Sequence, residues 1–307
     1  MQRRKTFTLE NDDMTQRRLK TLLGDYPGTL ALKKGDVRSD HIAFDFADVK
    51  VPSSAFKRVV RDIEFDVGEL AVFTYIIARA FNKPLELLPV VVVARFQHSF
   101  LLYNAGRGVI RPEDLNGKRI GIRSYSVTTS AWLRGILQAD AGVDPKSITW
   151  VTFEDPHVAE FKDPPNVERA AADKDLTTML LAGEIDAMVG TDRLEKDDRL
   201  KTVFPDPAAA AQDWHKRYGA IQINHMVTVK RSLLDSDPQA VREVYRMLRE
   251  SKNAAPPAAG GIDLTPVGLE ANRKNLDVAI EYTYRQGLIP KRFTVEEIFD
   301  PRILAMG

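Results

Sequence analysis

The sequence predicts an α/β protein of two lobes with a cleft between them. Three observations carry this expectation. Strand-like and helix-like segments alternate through most of the 307 residues, which favours layered α/β architecture with largely parallel sheets. The turn Asn104-Ala105-Gly106-Arg107-Gly108 closes one run of elements, and a second run begins after it. Residues 222–229 then return as a strand, read as the second crossing between lobes. A chain of this length can bury a sizeable core and has room for two domains.

The elements follow in order. Residues 53–62 read as a helix, 64–67 as a short strand, and 69–81 as a second helix stopped by Asn82-Lys83-Pro84. Residues 87–94 form a continuous apolar run suited to a buried strand, with Pro89 inside it. Residues 99–104 make the next strand. The second unit holds a strand at 119–122, a helix at about 127–139 and a strand at 149–153. Residues 155–173 carry Pro156, Pro164 and Pro165 with little periodicity and read as a loop. A short helix at 176–181 ends at Gly183 before a strand at 185–189, and residues 206–219 read as a helix. Asp237 followed by Pro238 is an N-cap with proline at the first helical position, opening a helix that ends near Asn253. Residues 256–261 are a surface loop by composition, 268–286 a long helix, and Thr294 with Glu297 a capping box for the last helix.

Composition narrows the function. Lys plus Arg is 44 against 43 Asp plus Glu, so the basic excess of a nucleic-acid binder is missing. Cysteine is absent, which excludes disulfides, thiolate metal sites and cysteine nucleophiles. Met1-Gln2-Arg3-Arg4-Lys5 is basic, but Phe7-Thr8-Leu9-Glu10-Asn11-Asp12-Asp13 follows where a secretory signal needs an apolar run, and no stretch has the length of a membrane span. The expectation is a cytoplasmic protein. No Gly-x-Gly-x-x-Gly, phosphate loop or Gly-x-Ser-x-Gly occurs, which argues against nucleotide cofactors and serine-hydrolase chemistry.

Three polar segments lie beside expected strand ends, where α/β sheets place ligands. Asp66-Val67-Gly68-Glu69 reads as a strand-to-helix turn with two carboxylates. Arg95-Phe96-Gln97-His98-Ser99 follows the apolar strand; Arg95 offers a fork matched to a carboxylate and His98 a transferable proton. Arg123-Ser124-Tyr125-Ser126-Val127-Thr128-Thr129-Ser130 opens a helix, whose unpaired N–H groups attract anions. The competing reading of that turn is one capping serine among solvated hydroxyls. His225 sits on the returning strand, while His41, His157 and His215 read as surface positions. His98, His225 and Glu69 can be drawn as a divalent-metal site but lack a ligand motif. Asp12-Asp13 and Asp197-Asp198 read as solvated charge pairs, and Trp132/Ile136 with Leu133/Leu137 as core pairs at helical spacing.

Taken together, Phe65-Asp66-Val67-Gly68-Glu69-Leu70, Arg95-Phe96-Gln97-His98-Ser99, residues 121–125, Ala131-Trp132-Leu133-Arg134-Gly135-Ile136-Leu137, Gly183-Glu184-Ile185-Asp186-Ala187, Asn224-His225-Met226-Val227, Gly268-Leu269-Glu270-Ala271-Asn272-Arg273-Lys274 and Gln286-Gly287-Leu288-Ile289-Pro290 resemble the 4,5-dihydroxyphthalate decarboxylases. The matches run in order from about Phe65 to the C-terminus. The resemblance implies a cytoplasmic enzyme on the type II periplasmic-binding-protein-like fold, with two crossing strands and an interdomain cleft. It implies a discontinuous lobe at 1–102 plus 222–307, and a second at 103–221. Where the family carries a Tyr-Asp-Arg-Thr-like stretch after its first strand, the corresponding region is read as residues 10–17, Glu-Asn-Asp-Asp-Met-Thr-Gln-Arg.

On this reading the chain is a cofactor-independent decarboxylase of a hydroxylated aromatic acid: the ring is protonated at the carboxyl-bearing carbon, then CO2 leaves. His98 is read as the acid and Arg95 as the carboxylate anchor. Glu69 and His225 bind or deprotonate a phenol, and Ser124, Tyr125 and Thr128 hold a carboxylate at the helix start. The partner is a small aromatic carboxylate, with no nucleic acid or membrane, no metal, and a homo-oligomer left open. The rivals are a solute-binding protein for an aromatic or organic acid, and a menaquinone-pathway dehydratase on the same fold.

Overall fold

The computed structural model describes residues 16–191, 197–257 and 261–306. Asp12-Asp13 and part of the loop at 256–261 therefore lie outside the described residues. Two sheets organise the chain. The first has the order β2-β1-β3-β11-β4 and is built from β1 (Arg17–Leu22), β2 (Ile42–Phe46), β3 (Val67–Ala71), β4 (Leu85–Ala94) and β11 (Ile223–Lys230). The second has the order β10-β5-β9-β6-β7-β8, from β5 (Leu101–Asn104), β6 (Arg119–Ile122), β7 (Thr149–Thr152), β8 (Val167–Arg169), β9 (Ala187–Val189) and β10 (Leu200–Thr202). The chain thus passes from the first sheet to the second between Ala94 and Leu101, and is back in the first at Ile223.

Helices cover the sheets: α1 (Leu30–Lys33), α2 (Phe56–Val60), α3 (Val72–Ala80), α4 (Thr128–Asp140), α5 (Leu176–Ala182), α6 (Pro207–Tyr218), α7 (Arg231–Ser236), α8 (Pro238–Asn253), α9 (Leu269–Arg285) and α10 (Pro301–Leu304). Their boundaries follow local chemistry. Asp206 and Asp237 each accept a backbone N–H from the helix they open, at 2.9 and 3.0 Å, with proline at the first position. Gly183 and Gly219 end α5 and α6 in the left-handed conformation. Thr294 and Glu297 form the expected reciprocal bonds, but around a single 3-10 turn at Glu296–Ile298, while Asp300 caps α10.

Both sheets are mixed rather than largely parallel. β11 runs antiparallel to β3 on one side and β4 on the other, and β5 runs antiparallel to β9 and β10. The apolar run of β4 lies at the sheet edge, which explains how Pro89 is tolerated without an N–H to donate. That edge is closed by a second segment: Val91 N–H donates to the Pro266 carbonyl and Gly268 N–H to that of Pro89. The largest departure from the sequence reading is at 67–71. These residues form β3, every one of them buried, and the helix begins only at Val72. Glu69 disguised the strand, since a carboxylate at the centre of a sheet is rare unless paired. Two strands before Ser53, β1 and β2, and the exposed three-residue β8 had no apolar alternation strong enough to read.

The α4 helix carries the second sheet's chemistry toward the first sheet. Trp132, Leu133, Ile136 and Leu137 are core residues, and Trp132 Nε1 donates to the Ile223 carbonyl on β11 at 2.7 Å. Gly135 leaves the space that the Tyr282 ring of α9 occupies; a Cβ there would lie 2.0 Å from it. Among the described residues no helix is long and apolar enough to cross a membrane.

Candidate active site

A cavity of about 430 Å³ opens between the two sheets. From the first sheet's side come Tyr26, Lys50, Phe56, Val93, Arg95, Asn224 and His225, and from the second's Arg123, Val127, Thr128, Thr129, Ser130, His157, Val189 and Thr191. Lys50, Arg95 and Arg123 are its cations, and no Asp or Glu is among its described lining residues. Apolar walls with convergent cations suit an organic anion of aromatic size.

The first wall is organised around Glu69. Glu69 is completely buried on β3 and accepts three hydrogen bonds. Gly24 N–H donates to Oε2 at 2.8 Å, Tyr26 O–H donates to Oε1 at 2.7 Å, and His225 Nδ1 meets Oε1 at 3.0 Å. β3 and β11 are antiparallel neighbours, so Glu69 and His225 are brought together by register, with Val227 opposite Glu69 and His225 two residues further along. Tyr26 reaches Glu69 through the turn after β1. Thr29 Oγ1 accepts from Tyr26 N–H at 2.9 Å and donates to the Gly24 carbonyl at 2.7 Å. Gly24 itself lies under the Tyr26 ring, where a Cβ would stand 2.5 Å away. Burial, and then the adjacent Glu69 carboxylate, push the Tyr26 phenol far above its ordinary range, so it stays a donor. Phe56 packs edge-on against the His225 ring at 4.9 Å.

The second wall is the N-terminal turn of α4. Thr128 and Ser130 are buried and line the cavity, and neither hydroxyl has a hydrogen-bond partner among the described residues. Unpaired helix N–H groups and unpaired hydroxyls are donors of the kind that suit carboxylate oxygens. Arg123 stands at the end of β6 beside this turn, with Glu154 at 3.7 Å from its Nε. Arg95, across the cavity, stacks on Phe100 at 4.2 Å and is partly desolvated, which lowers its pKa without threatening its charge.

The structure brings Glu69, His225, Arg95 and Thr128 to one place, Glu69 directly behind the lining. It places three other expected residues elsewhere. His98 lies in a 3-10 turn (His98–Phe100) that turns it away from the lining; it is 1% exposed and packs edge-on against Phe204 at 5.0 Å. Burial depresses its pKa to about 4, and its Nδ1 has no hydrogen-bond partner among the described residues. Tyr125 is buried against Arg134 and Trp150, and Ser124 is buried behind the turn; neither lines the cavity. Among the described residues no group of three or more His, Asp or Glu is arranged to hold a metal.

Two site residues escaped the sequence reading. His157 is not a surface position: it is 3% exposed and lines the cavity. Tyr26 follows the first described strand, β1, in the turn Gly24-Asp25-Tyr26-Pro27-Gly28-Thr29, whereas most of the stretch read at 10–17 lies outside the described residues. The Gly-Asp-Tyr-Pro-Gly-Thr turn was the signal that could have found it. His41 pairs with Asp237 at 3.1 Å and His215 with the Ala220 carbonyl at 2.8 Å, both half-buried.

A family model described as NMT1/THI5 like matches residues 76–255. A curated 4,5-dihydroxyphthalate decarboxylase of Comamonas testosteroni is 28% identical over 95% of this chain and 98% of its own length. One from Pseudomonas putida is 29% identical over 66% of this chain and 83% of its own. The alkanesulfonate-binding protein SsuA from Xanthomonas axonopodis pv. citri shares the fold at a TM-score of 0.57 and 15% identity, covering 92% of this chain and 98% of its own. The periplasmic aliphatic sulphonate binding protein SsuA from Escherichia coli does so at 0.58 and 14%, covering 93% and 92%. The fold is therefore that of the periplasmic binding proteins, and the nearest sequence likeness among these is to decarboxylases.

Proposed function

The chain belongs to the NMT1/THI5-like family, and from that premise we propose that it is a cofactor-independent decarboxylase of a hydroxylated aromatic carboxylic acid resembling 4,5-dihydroxyphthalate. The observation that carries the reading is the Tyr26–Glu69–His225 set facing an unpaired helix N-terminus across a cationic cavity. Such a site supplies a proton on one side and holds a carboxylate on the other.

His225 is the proton donor. Its Nδ1 is fixed by Glu69, leaving Nε2 without a protein partner among the described residues. Glu69 orients the ring and offsets the imidazolium charge, while Tyr26 holds Glu69. Arg95, Arg123 and the α4 hydroxyls bind the substrate's carboxylates. Nε2–H then protonates the ring carbon bearing one carboxylate, with electron density supplied by a ring hydroxyl. The carbon–carbon bond to that carboxylate breaks, its electron pair restores the aromatic ring, and CO2 departs. The imidazole regains a proton from solvent, so the balance is one proton consumed per CO2 released. The reading carries with it a cytoplasmic setting and lobes at 1–102 with 222–307 and at 103–221.

A solute-binding protein on this fold would hold the same acid and release nothing. Incubating the purified chain with hydroxylated phthalates and benzoates while following CO2 separates the two. Release from at least one hydroxylated phthalate is expected; binding with no release from any of them would contradict the enzyme reading.

A further inference from the structure

The segment after β7 crosses from the second sheet to the elements of the first. Arg61, just past α2, donates through Nε to the His157 carbonyl at 2.8 Å, and Lys83 pairs with Glu160 at 2.6 Å. Val158 and Phe161 are buried beside these contacts. At the centre of this strap His157 has two partners on opposite sides. Its Nδ1 meets Thr74 Oγ1 of α3 at 2.8 Å, and its Nε2 meets Arg123 Nη2 at 3.5 Å. Phe56 closes the remaining side, edge-on at 5.8 Å.

The tautomer follows from the chemistry. A guanidinium only donates, so Nε2 must accept and Nδ1 must carry the proton, donating it to Thr74. A protonated ring would turn an N–H toward the Arg123 charge. Burial, with Arg123, Lys57, Arg61 and His225 nearby, accordingly holds the ring neutral down to about pH 3.

We infer that His157 is a positioning residue that aims the Arg123 guanidinium into the cavity, using Thr74 of α3, behind the lining, as its fixed point, so the carboxylate subsite depends on the contact between the strap and α3. This rests on the carboxylate site proposed above but not on the decarboxylation. Thr74 does not line the cavity and is 1% exposed, so an effect of its hydroxyl on affinity must travel through His157.

The test is the dissociation constant of phthalate, which has the carboxylates but no hydroxyl to drive reaction, measured by calorimetry. Thr74→Val keeps the shape and removes the acceptor; His157→Leu removes both bonds. Thr74→Val is expected to weaken phthalate binding about three- to tenfold and His157→Leu by roughly tenfold or more. In an Arg123→Ala background both are expected to add nothing, because their effect passes through that guanidinium. Equal losses in both backgrounds, or wild-type affinity in Thr74→Val, would overturn the assignment, as would absence of phthalate binding by the unmodified protein. If His157→Leu does not fold, the Thr74→Val cycle decides alone. Phthalate binding with the expected coupling, but no CO2 from hydroxylated phthalates, would keep this inference and sink the decarboxylase reading.

Discussion

The two walls of the cavity are built in opposite ways. On the wall formed by β3 and β11, Glu69 bonds to Gly24, Tyr26 and His225 and leaves Nε2 of that imidazole without a partner among the described residues. On the α4 wall, Thr128 and Ser130 are as deeply buried yet their hydroxyls have no partner among the described residues. Leaving a buried polar group unpaired costs about 1–3 kcal/mol, a cost that a bound carboxylate would offset on the proposed reading. On the proposed reading the labour divides accordingly: one wall is organised before a substrate arrives, and the other is completed by it.

The sharpest way to break the comparison is at His225. Replacement by Asn should lower turnover by about 10²–10⁴-fold and leave phthalate affinity nearly intact, because on the proposed reading the proton comes from His225 while Arg95, Arg123 and the α4 turn hold the anion. His98→Gln, three residues from Arg95, should leave turnover unchanged, since that ring faces Phe204. A large loss in His98→Gln, with His225→Asn active, would reverse the two assignments.

Arg95, which enters the cavity from the first sheet's side, tests anion binding separately from the α4 turn. Arg95→Ala should weaken phthalate binding by roughly 1.5–3 kcal/mol, and Arg95→Lys should recover only part of it, because an ammonium lacks the planar fork. Full recovery by Lys would reduce the site to a point charge. A smaller effect is expected from Tyr26→Phe. Glu69 would keep two of its three donors, so turnover should fall by roughly three- to tenfold, the worth of one hydrogen bond. Steady-state rates of CO2 release measure it.

The smallest effect is on stability. His98 and His157 have folded-state pKa values near 4 and 3, below the ordinary 6.5, because burial disfavours the charged ring. The unfolded chain then binds more protons between those values and 6.5, so their contribution is complete above about pH 6.5 and is lost as pH falls toward 4 and then 3. The midpoint of thermal unfolding should drop from pH 7 to pH 5, and less steeply in His98→Gln. Parallel slopes for the two proteins would contradict the buried-neutral state of His98.

How much of this was legible depended on whether the signal was local. The apolar run of β4, the Asp-Pro start of α8 and the Gly183 stop of α5 are short-range chemistry, and they read correctly within a residue or two. Arg95, Glu69 and His225 were visible as polar residues on or beside expected strands and fell within the motifs that resemble a family, and Thr128 was visible as a hydroxyl in a helix-opening turn. What failed was long-range. Glu69 was read at a helix start because its partners, Gly24, Tyr26 and His225, are 45, 43 and 156 residues away. His157 sat in a proline-rich stretch without periodicity, and nothing nearby reveals Thr74, 83 residues distant. His98 failed for a different reason: three residues of spacing cannot say which way a 3-10 turn will point.

The most direct measurement pairs CO2 release from a hydroxylated phthalate with phthalate affinity, in wild-type and His225→Asn protein prepared together. The expected result is rapid release by the wild type, loss of release in the variant, and matching affinities within about twofold. Wild-type rates of release from His225→Asn would remove the proton donor from the strand wall and contradict the account.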